Sequence, residues 1–215
     1  MKRLAFGTDA EYAAAVPVVV RHLRAGGLIG YPTETVYGLG CTLMERPLAR
    51  LAALKQREKR PFLLLAPNED RLPRLRWTAA AARLAGSFWP GPLTLVLAAD
   101  ETLPPEIVAA DGTVAVRVSP HPGVRALLAE LDAPITSTSA NPPGATPAAS
   151  AAETEAAIAA LGDVADWIVL DGGTLLPSPP STIVRCVDED VTVIRAGAIG
   201  LESLHAFLEE THGRT

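Results

Sequence analysis

The chain has 215 residues, of which 48% are hydrophobic, 20% charged and 5% aromatic, and it carries a formal net charge of −5 at pH 7. This composition is typical of a soluble globular protein, and the length fits one large α/β domain. No segment has the roughly 18 uninterrupted apolar residues of a membrane span, and the N-terminus lacks the apolar centre of a signal peptide, so we expect a cytoplasmic protein without membrane association.

Helices and strands alternate in the first half of the chain. A helix capped at Thr8 or Asp9 is predicted to run to Gly26, although Pro17 should kink it or mark its true start. A strand over 28–31 then stops at Pro32, where a flexible loop begins. The next predicted elements are a helix near 47–56, a strand near 62–66, a helix near 78–88 and a strand over 93–98.

The second half repeats this alternation. We predict strands over 114–118, 134–138, 167–170, 182–187 and 191–195, and helices over 124–131, 151–161 and 201–210. Strands interleaved with helices indicate a largely parallel or mixed sheet covered on its faces. We find no repeat and no interdomain linker, and we therefore predict a single α/β domain over residues 1–215.

Positive charge is concentrated between Arg46 and Arg83. This segment contains ten basic residues and three acidic ones, in a chain that is acidic as a whole. Such a local positive field favours docking of a polyanion, either a nucleoside triphosphate or an RNA backbone. The alternative is a solvated basic helix face, and the charge count alone does not separate the two.

Several familiar site types are absent from the sequence. Cys41 and Cys186 form no CxxC pair, and the four histidines show no HxxxH or HExxH spacing, so we expect no protein-built metal site. None of the three lysines follows a glycine, which excludes a P-loop, and the chain has neither a dinucleotide fingerprint nor a GxSxG elbow. A phosphate site here must be built another way.

Polar and cationic side chains recur where predicted elements end. Lys55-Gln56-Arg57 ends a helix, Ser139-Ala140-Asn141 follows a strand, and Arg117, Ser181 and Arg195 lie at the limits of other strands. Lysine and arginine grip phosphate oxygens in complementary ways, and residues two apart on a strand face the same side. Because ligands of open α/β sheets bind across strand ends, we expect these groups to converge.

Seven fragments of the sequence, in this order, resemble the YrdC-type family of L-threonylcarbamoyladenylate synthases, in a single-domain form. They are YPTETVYGLG at 31–40, LKQR at 54–57, GPLTLVL at 91–97, VAVRVSPHP at 114–122, STSANPPG at 137–144, PSTIV at 180–184 and RAGAI at 195–199. The resemblance covers roughly residues 9–200. It implies a single YrdC-like domain, with a twisted mixed β-sheet and flanking helices.

The resemblance also implies two groups of ligand-binding residues. The catalytic residues would be Lys55, Arg57, Ser139 and Asn141, which would grip ATP or the adenylate together with Thr113, Pro147 and Arg195. The residues that hold L-threonine would be Thr33, Arg117, Ser137 and Ser181. The loop after Pro32 would then form a wall of the amino-acid pocket, with its glycines letting backbone approach the ligand closely.

The activity implied is that of a nucleotidyltransferase. It joins L-threonine, bicarbonate or carbon dioxide, and ATP with Mg²⁺ into threonylcarbamoyl-AMP, and it releases pyrophosphate. The partners implied are transfer RNA or double-stranded RNA and the proteins that transfer the threonylcarbamoyl group onward to transfer RNA. For the base that deprotonates the threonine amine, Glu34 is the candidate, and a structural hydrogen-bonding role for it is the alternative.

The sequence departs from the family pattern at some positions. Some members have a histidine where this chain has Leu64 and Leu65, and some have a proline where it has Glu58. Three alternatives also remain: a non-catalytic RNA-binding paralogue of the YciO kind, a carbamoyl-transfer domain like that of hydrogenase maturation proteins, and an α/β domain without a ligand. The presence of the whole set Lys55, Arg57, Ser139 and Asn141 favours the enzyme.

Overall fold

The computed structural model describes residues 1–56, 60–188 and 190–212. The helices in these ranges are α1 (Asp9–Arg24), α2 (Glu45–Leu54), α3 (Ala79–Phe88), α4 (Pro122–Leu131), α5 (Ala151–Ala160) and α6 (Leu201–His212), with a short 3₁₀ turn at Glu69–Arg71. The strands are β1 (Lys2–Ala5), β2 (Leu28–Pro32), β3 (Tyr37–Gly40), β4 (Leu63–Leu65), β5 (Leu75–Arg76), β6 (Leu93–Ala99), β7 (Thr113–Arg117), β8 (Ile135–Ser139), β9 (Trp167–Asp171), β10 (Thr182–Val187) and β11 (Asp190–Arg195).

The strands form one mixed sheet in the order β1-β9-β2-β3-β8-β4-β7-β6-β10-β11, with β5 paired to β6. Parallel pairs are β1 with β9, β2 with β9, β4 with β7 and β6 with β10, and the remaining pairs are antiparallel. Strand β8 therefore lies between β3 and β4 at the middle of the sheet. The predicted α/β class, with a mixed sheet and flanking helices, is confirmed.

Most predicted elements occur within one or two residues of their expected limits, and the exceptions are short strands. The loop expected after Pro32 is in fact a tight turn followed by β3, which pairs antiparallel with β2. Strands β1 and β5 were not predicted either. Helix α1 begins at Asp9 with Thr8 as its cap, so Pro17 lies inside the helix and does not mark its start.

Two clusters of buried apolar side chains cover the two faces of the sheet. One cluster joins α1 and α4 to the sheet through residues such as Val19, Leu127 and Tyr31, and the other contains Leu39, Leu95 and Val116. Cys41 and Cys186 are free and fully buried, as expected of core residues. None of the helices in the described part of the chain is long and apolar enough to cross a membrane.

Candidate active site

Lys55, Ser139 and Asn141 form one hydrogen-bonded cluster. The Lys55 ammonium donates to the carbonyl oxygen of Ser139 at 2.9 Å, to the amide oxygen of Asn141 at 3.0 Å and to the backbone oxygen of Asn141. The Ser139 hydroxyl donates to the same amide oxygen at 2.6 Å. Lys55 and Asn141 are 6% and 9% exposed, so the cluster is a preorganised cationic centre shielded from water.

The local sequence explains how this lysine reaches the end of β8. Helix α2 ends at Leu54, and Lys55 follows as its C-cap, where a cation interacts favourably with the helix dipole. Gln56 then has a positive φ of 49°, which turns the chain away from the helix axis. The side chain of Asn141 donates back to the Ala145 carbonyl, and this bond holds the segment after β8 in place.

Arg117 lies at the carboxyl end of β7 and is 5% exposed. Its Nε atom donates to the Gly91 carbonyl at 3.0 Å, and its guanidinium forms an ion pair with Glu34. Burial lowers the pKa of Arg117 to about 10, and the positive charge of Arg195 acts in the same direction. Arg117 is therefore positively charged at neutral pH, and it is suited to binding a second carboxylate.

Ser181 and Arg195 form a further part of the site. The Arg195 guanidinium donates to the Ser181 carbonyl at 2.8 and 3.2 Å and to the Ser181 hydroxyl at 3.3 Å. The Ser181 hydroxyl also bonds to that of Thr94 at 2.9 Å. The charge of Arg195 acts on Arg117, so the two guanidinium groups lie within electrostatic range of each other, and Glu34 balances one of their two positive charges.

Thr33 organises the turn between β2 and β3. Its hydroxyl donates to the Val36 carbonyl at 2.6 Å and accepts from the amides of Thr35 and Val36, both at 3.2 Å. Its backbone amide also donates to the Val36 carbonyl. The hydroxyl is thus engaged within its own turn, and the main effect of this turn is to present Glu34 to Arg117.

Tyr31 was not predicted as part of the site, yet it lies directly behind it. Its ring is fully buried and crosses β3 at Gly38 and Gly40, where a Cβ atom would come within 3.1 Å of the ring. Its hydroxyl donates to the Thr136 carbonyl at 3.5 Å and interacts with the Ser137 side chain, and burial raises its pKa strongly. The glycines of YPTETVYGLG therefore make room for this ring, and their expected role beside a ligand stays a prediction.

Two of the predicted ATP-binding residues lie outside these groups. Thr113 begins β7, at the opposite end of that strand from Arg117; it donates to Asp111 at 2.7 Å and lines a cavity of 440 Å³. Pro147 lines a separate cavity of 330 Å³ beside Asn141. Arg57 lies outside the described residues. Leu64 and Leu65, the expected position of the family histidine, are buried at 0% and 1% exposure, and Leu65 is the strand partner of Arg117.

Within the described ranges, no group of three or more His, Cys, Asp or Glu side chains could hold a metal ion. The groups of the site are instead cations, hydroxyls and amides. Such a site fits phosphate and carboxylate ligands, and a metal ion would have to enter it with its own anionic ligands.

The chain is similar in sequence and in structure to known proteins. Residues 21–197 match the model of the Sua5/YciO/YrdC family, which is described as telomere recombination. The chain belongs to the Sua5/YciO/YrdC family. It is 41% identical over 180 residues to a threonylcarbamoyl-AMP synthase of Chromohalobacter salexigens, an alignment that covers 80% of this chain and 93% of that protein.

Two solved structures of the Sua5/YciO/YrdC family are also similar. P. abyssi Sua5, solved in complex with L-threonine, has a TM-score of 0.88 and 29% identity over 98% of this chain. The chain spans 62% of the length of that Sua5 protein. E. coli YciO has a TM-score of 0.78 and 25% identity, covering 94% of this chain and 97% of YciO.

Proposed function

We propose that this protein is an L-threonylcarbamoyladenylate synthase, a nucleotidyltransferase that makes threonylcarbamoyl-AMP and pyrophosphate from L-threonine, bicarbonate or carbon dioxide, and ATP. The observation that carries the proposal is the high identity to a threonylcarbamoyl-AMP synthase over nearly all of that protein's length. The cationic site supports it, since both the amino acid and the nucleotide present anionic groups.

The amino acid would bind on the side of the site that contains Arg117. A guanidinium binds a carboxylate through two parallel hydrogen bonds, so Arg117 is the natural partner of the threonine carboxylate. Ser137 and Ser181 would supply hydroxyls near it, and the turn at Thr33 would close one side. The threonine amine would react with bicarbonate or carbon dioxide to give a carbamate.

The nucleotide would bind on the side of Lys55, Ser139 and Asn141. An oxygen of the carbamate attacks the α-phosphate of ATP, and the bond from that phosphorus to the β-phosphate oxygen breaks to release pyrophosphate. Both reactants are anions, so positioning and positive charge must supply most of the catalysis. Lys55 on one side and Arg195 on the other would offset this repulsion.

Mg²⁺ would enter the site bound to ATP. The cationic and hydroxyl groups here do not resemble a protein-built magnesium site, in which carboxylates are the usual ligands. The phosphate oxygens would be its main ligands, because the amide oxygen of Asn141 already accepts hydrogen bonds from Lys55 and Ser139. The ion would supply neutralisation of the triphosphate charge.

A contact with transfer RNA would suit the basic segment that begins at Arg46. Within it, Arg71 and Arg74 form ion pairs with Asp132 and Asp100, which reduces the charge available to RNA. Arg76 and Arg83 are exposed and form no ion pair among the described residues. These two arginines are the best candidates for phosphate contacts. The adenylate would pass to proteins that transfer the threonylcarbamoyl group to transfer RNA.

A non-catalytic role like that proposed for a YciO-type paralogue is the alternative function, because the chain also resembles YciO in structure. The greater identity to the synthase and the preorganised cluster at Lys55 favour the enzyme. The two functions make opposite predictions for catalysis.

The proposal is tested by measuring pyrophosphate release from purified protein supplied with ATP, Mg²⁺, bicarbonate and L-threonine. We expect release that needs all of them and that falls to background when either threonine or bicarbonate is omitted. Release that ignores threonine or bicarbonate would indicate another adenylating or hydrolysing activity. No release, combined with RNA binding, would support the non-catalytic alternative.

A further inference from the structure

The ion pair between Arg117 and Glu34 differs from the others in the described part of the chain. The side chains of Arg117 and Glu34 are 6% and 23% exposed. In each of the other ion pairs, at least one of the two side chains is more than 30% exposed. Desolvation offsets most of the Coulombic gain of a buried pair, so such a pair adds little net stability. Since this pair adds little stability and lies among the predicted substrate-binding residues, its position indicates a role in binding.

The charges of a free amino acid indicate that role. At neutral pH its carboxylate and its ammonium are attached to the same carbon atom, so a pocket that binds it must satisfy both charges. Arg117 and Arg195 provide only positive charge. An ammonium placed beside them would be repelled unless a carboxylate faced it. Among the described residues, Glu34 is the one carboxylate that contacts a predicted threonine-binding residue.

We propose that Glu34 binds the α-ammonium group of the amino-acid substrate while Arg117 binds its α-carboxylate, so that the two residues together recognise a zwitterion. This inference rests on the proposed function. The four charged groups would form a closed cycle in which positive and negative charges alternate. The order would be Arg117, the substrate carboxylate, the substrate ammonium and Glu34, which contacts Arg117 again. Each charge would then have two neighbours of opposite sign.

The structure holds Glu34 in place for this contact. One of its oxygens is bound by Arg117, and the other accepts a hydrogen bond from the Ser119 hydroxyl at 2.9 Å. The turn organised by Thr33 fixes the backbone on either side of it. An ionised carboxylate has about four acceptor positions, so both oxygens can accept a further bond from an ammonium. Little ordering of Glu34 is then needed when the substrate binds.

Selectivity for a free α-amine follows from this arrangement. An analogue of threonine in which a hydroxyl replaces the amine keeps the carboxylate, the side chain and the overall shape. It loses the charge that Glu34 would bind. The substrate class is therefore free α-amino acids with an unmodified amine, and the corresponding 2-hydroxy acids should bind weakly.

The test is calorimetric binding of L-threonine and of the matching 2,3-dihydroxybutanoate to the full chain, without ATP or bicarbonate, so that no chemistry occurs. Wild-type protein should prefer L-threonine by at least about tenfold, as expected for a hydrogen bond to a charged group. Glu34→Gln should weaken threonine binding by about 10-fold to 100-fold and change binding of the hydroxy acid by less than about threefold. Ser119→Ala, which keeps the Glu34 charge, should retain the preference for threonine.

The outcomes separate this inference from the proposed function. An equal loss of affinity for both ligands in Glu34→Gln would mean that Glu34 acts only through the position of Arg117. An unchanged preference for threonine in that variant would mean that Glu34 does not face the amine. Either result overturns the inference, while threonine binding by the wild-type protein stands. No threonine binding by the wild-type protein would contradict the proposed function itself. Thermal unfolding of each variant shows whether it is folded at the temperature of the binding measurement.

Discussion

Lys55 is the residue on which we expect the proposed nucleotide binding to depend most. It is buried at the end of α2, and its ammonium contacts both Ser139 and Asn141, which are 84 and 86 positions away in the sequence. All three N–H groups of the ammonium are used in the cluster, so one of them must change partner to bind a phosphate oxygen, while burial keeps the charge unscreened by water. The same charge would be weak if it were exposed to water.

We therefore predict that Lys55→Ala lowers affinity for a non-hydrolysable ATP analogue by about 1.5–3 kcal/mol, the range for a hydrogen bond to a charged group. Titration calorimetry measures this loss. Arg46→Ala is the matched control, because Arg46 is an exposed cation at the other end of α2 and should bind the analogue normally. Unaltered affinity in Lys55→Ala would contradict the assignment, and a thermal melt establishes that the variant folds.

The residues proposed to bind a substrate could be selected from the sequence, whereas a residue that supports them from behind could not. Lys55, Arg117 and Ser139 were identified because they lie in fragments typical of a family, at the limits of predicted elements. Tyr31 was missed because a tyrosine in a short apolar strand reads as an ordinary core residue. Its importance follows only from the antiparallel pairing of β2 with β3, which brings it over Gly38 and Gly40.

At the scale of elements, β3 is a strand that could not be predicted from the sequence. Glycine has a low preference for strands, and the segment Tyr37–Gly40 contains two of them, so it reads as a loop. In the sheet, these glycines let β3 lie against β8 while the ring of Tyr31 crosses above it. A tertiary contact therefore overrides the local preference. Longer strands such as β6 and β7 were predicted because their apolar runs are uninterrupted.

This account predicts that Gly40→Ala destabilises the protein. A Cβ atom at Gly40 would lie 2.3 Å from the Thr136 carbonyl oxygen, which belongs to the backbone of β8 and cannot move freely. Overpacking of this kind costs about 1–3 kcal/mol, measured as the free energy of unfolding in urea. Since β8 carries Ser139, loss of nucleotide binding should accompany it.

Gly86→Ala is the matched control for that substitution. Gly86 is exposed in α3, and a Cβ atom there would meet nothing within 4 Å. Because alanine favours a helix over glycine, this variant should be more stable by roughly 0.5–1 kcal/mol. Equal changes in the free energy of unfolding in the two variants would show that β8 can move away from β3 at little cost.

For the molecule as a whole, the two buried thiols predict how stability depends on pH. Burial raises the pKa of Cys186 from 9.0 to about 11 and that of Cys41 to about 12. In the unfolded chain the Cys186 thiol ionises near pH 9, whereas in the folded protein it does not. Its contribution to stability is thus complete below pH 9 and is lost as the pH rises from 9 through about 11.

We predict that wild-type protein loses about 2 kcal/mol of unfolding free energy relative to Cys186→Ala between about pH 8 and pH 10.5. Comparing the two proteins in urea at each pH removes the contribution of other titrating groups. The packing cost of the alanine is a constant offset and does not affect the slope. Parallel curves across this range would show that the Cys186 thiol is accessible to water in the folded protein.

The proposed RNA binding can be tested through the charge distribution over the surface of the molecule. Arg76 lies in β5 and Lys2 in β1, which are near opposite ends of the sheet. If transfer RNA binds the basic segment, Arg76→Glu should lower affinity and reduce the salt slope by about 1, since one phosphate contact is lost. Lys2→Glu makes the same charge change at the far edge. Equal effects in gel shifts across a salt series would contradict a localised RNA surface.

What could not be predicted at this scale is how the separated fragments meet. The strand order places β8 between β3 and β4, and this order depends on long-range pairings that no local pattern records. The fragments were expected to converge, and the structure joins Lys55 to Ser139 and Asn141 and brings Arg117 within electrostatic range of Arg195. Thr113 remains at the other end of its strand.

The most direct test of the central claim is the identity of the product. Purified protein is incubated with ATP, Mg²⁺, L-threonine and bicarbonate labelled with ¹³C, and the nucleotides are analysed by mass spectrometry. The proposed reaction predicts an adenylate that contains one ¹³C atom and the mass of threonine, formed together with pyrophosphate and absent when threonine is omitted. An adenylate of threonine without the label, or release of ADP and phosphate alone, would contradict it.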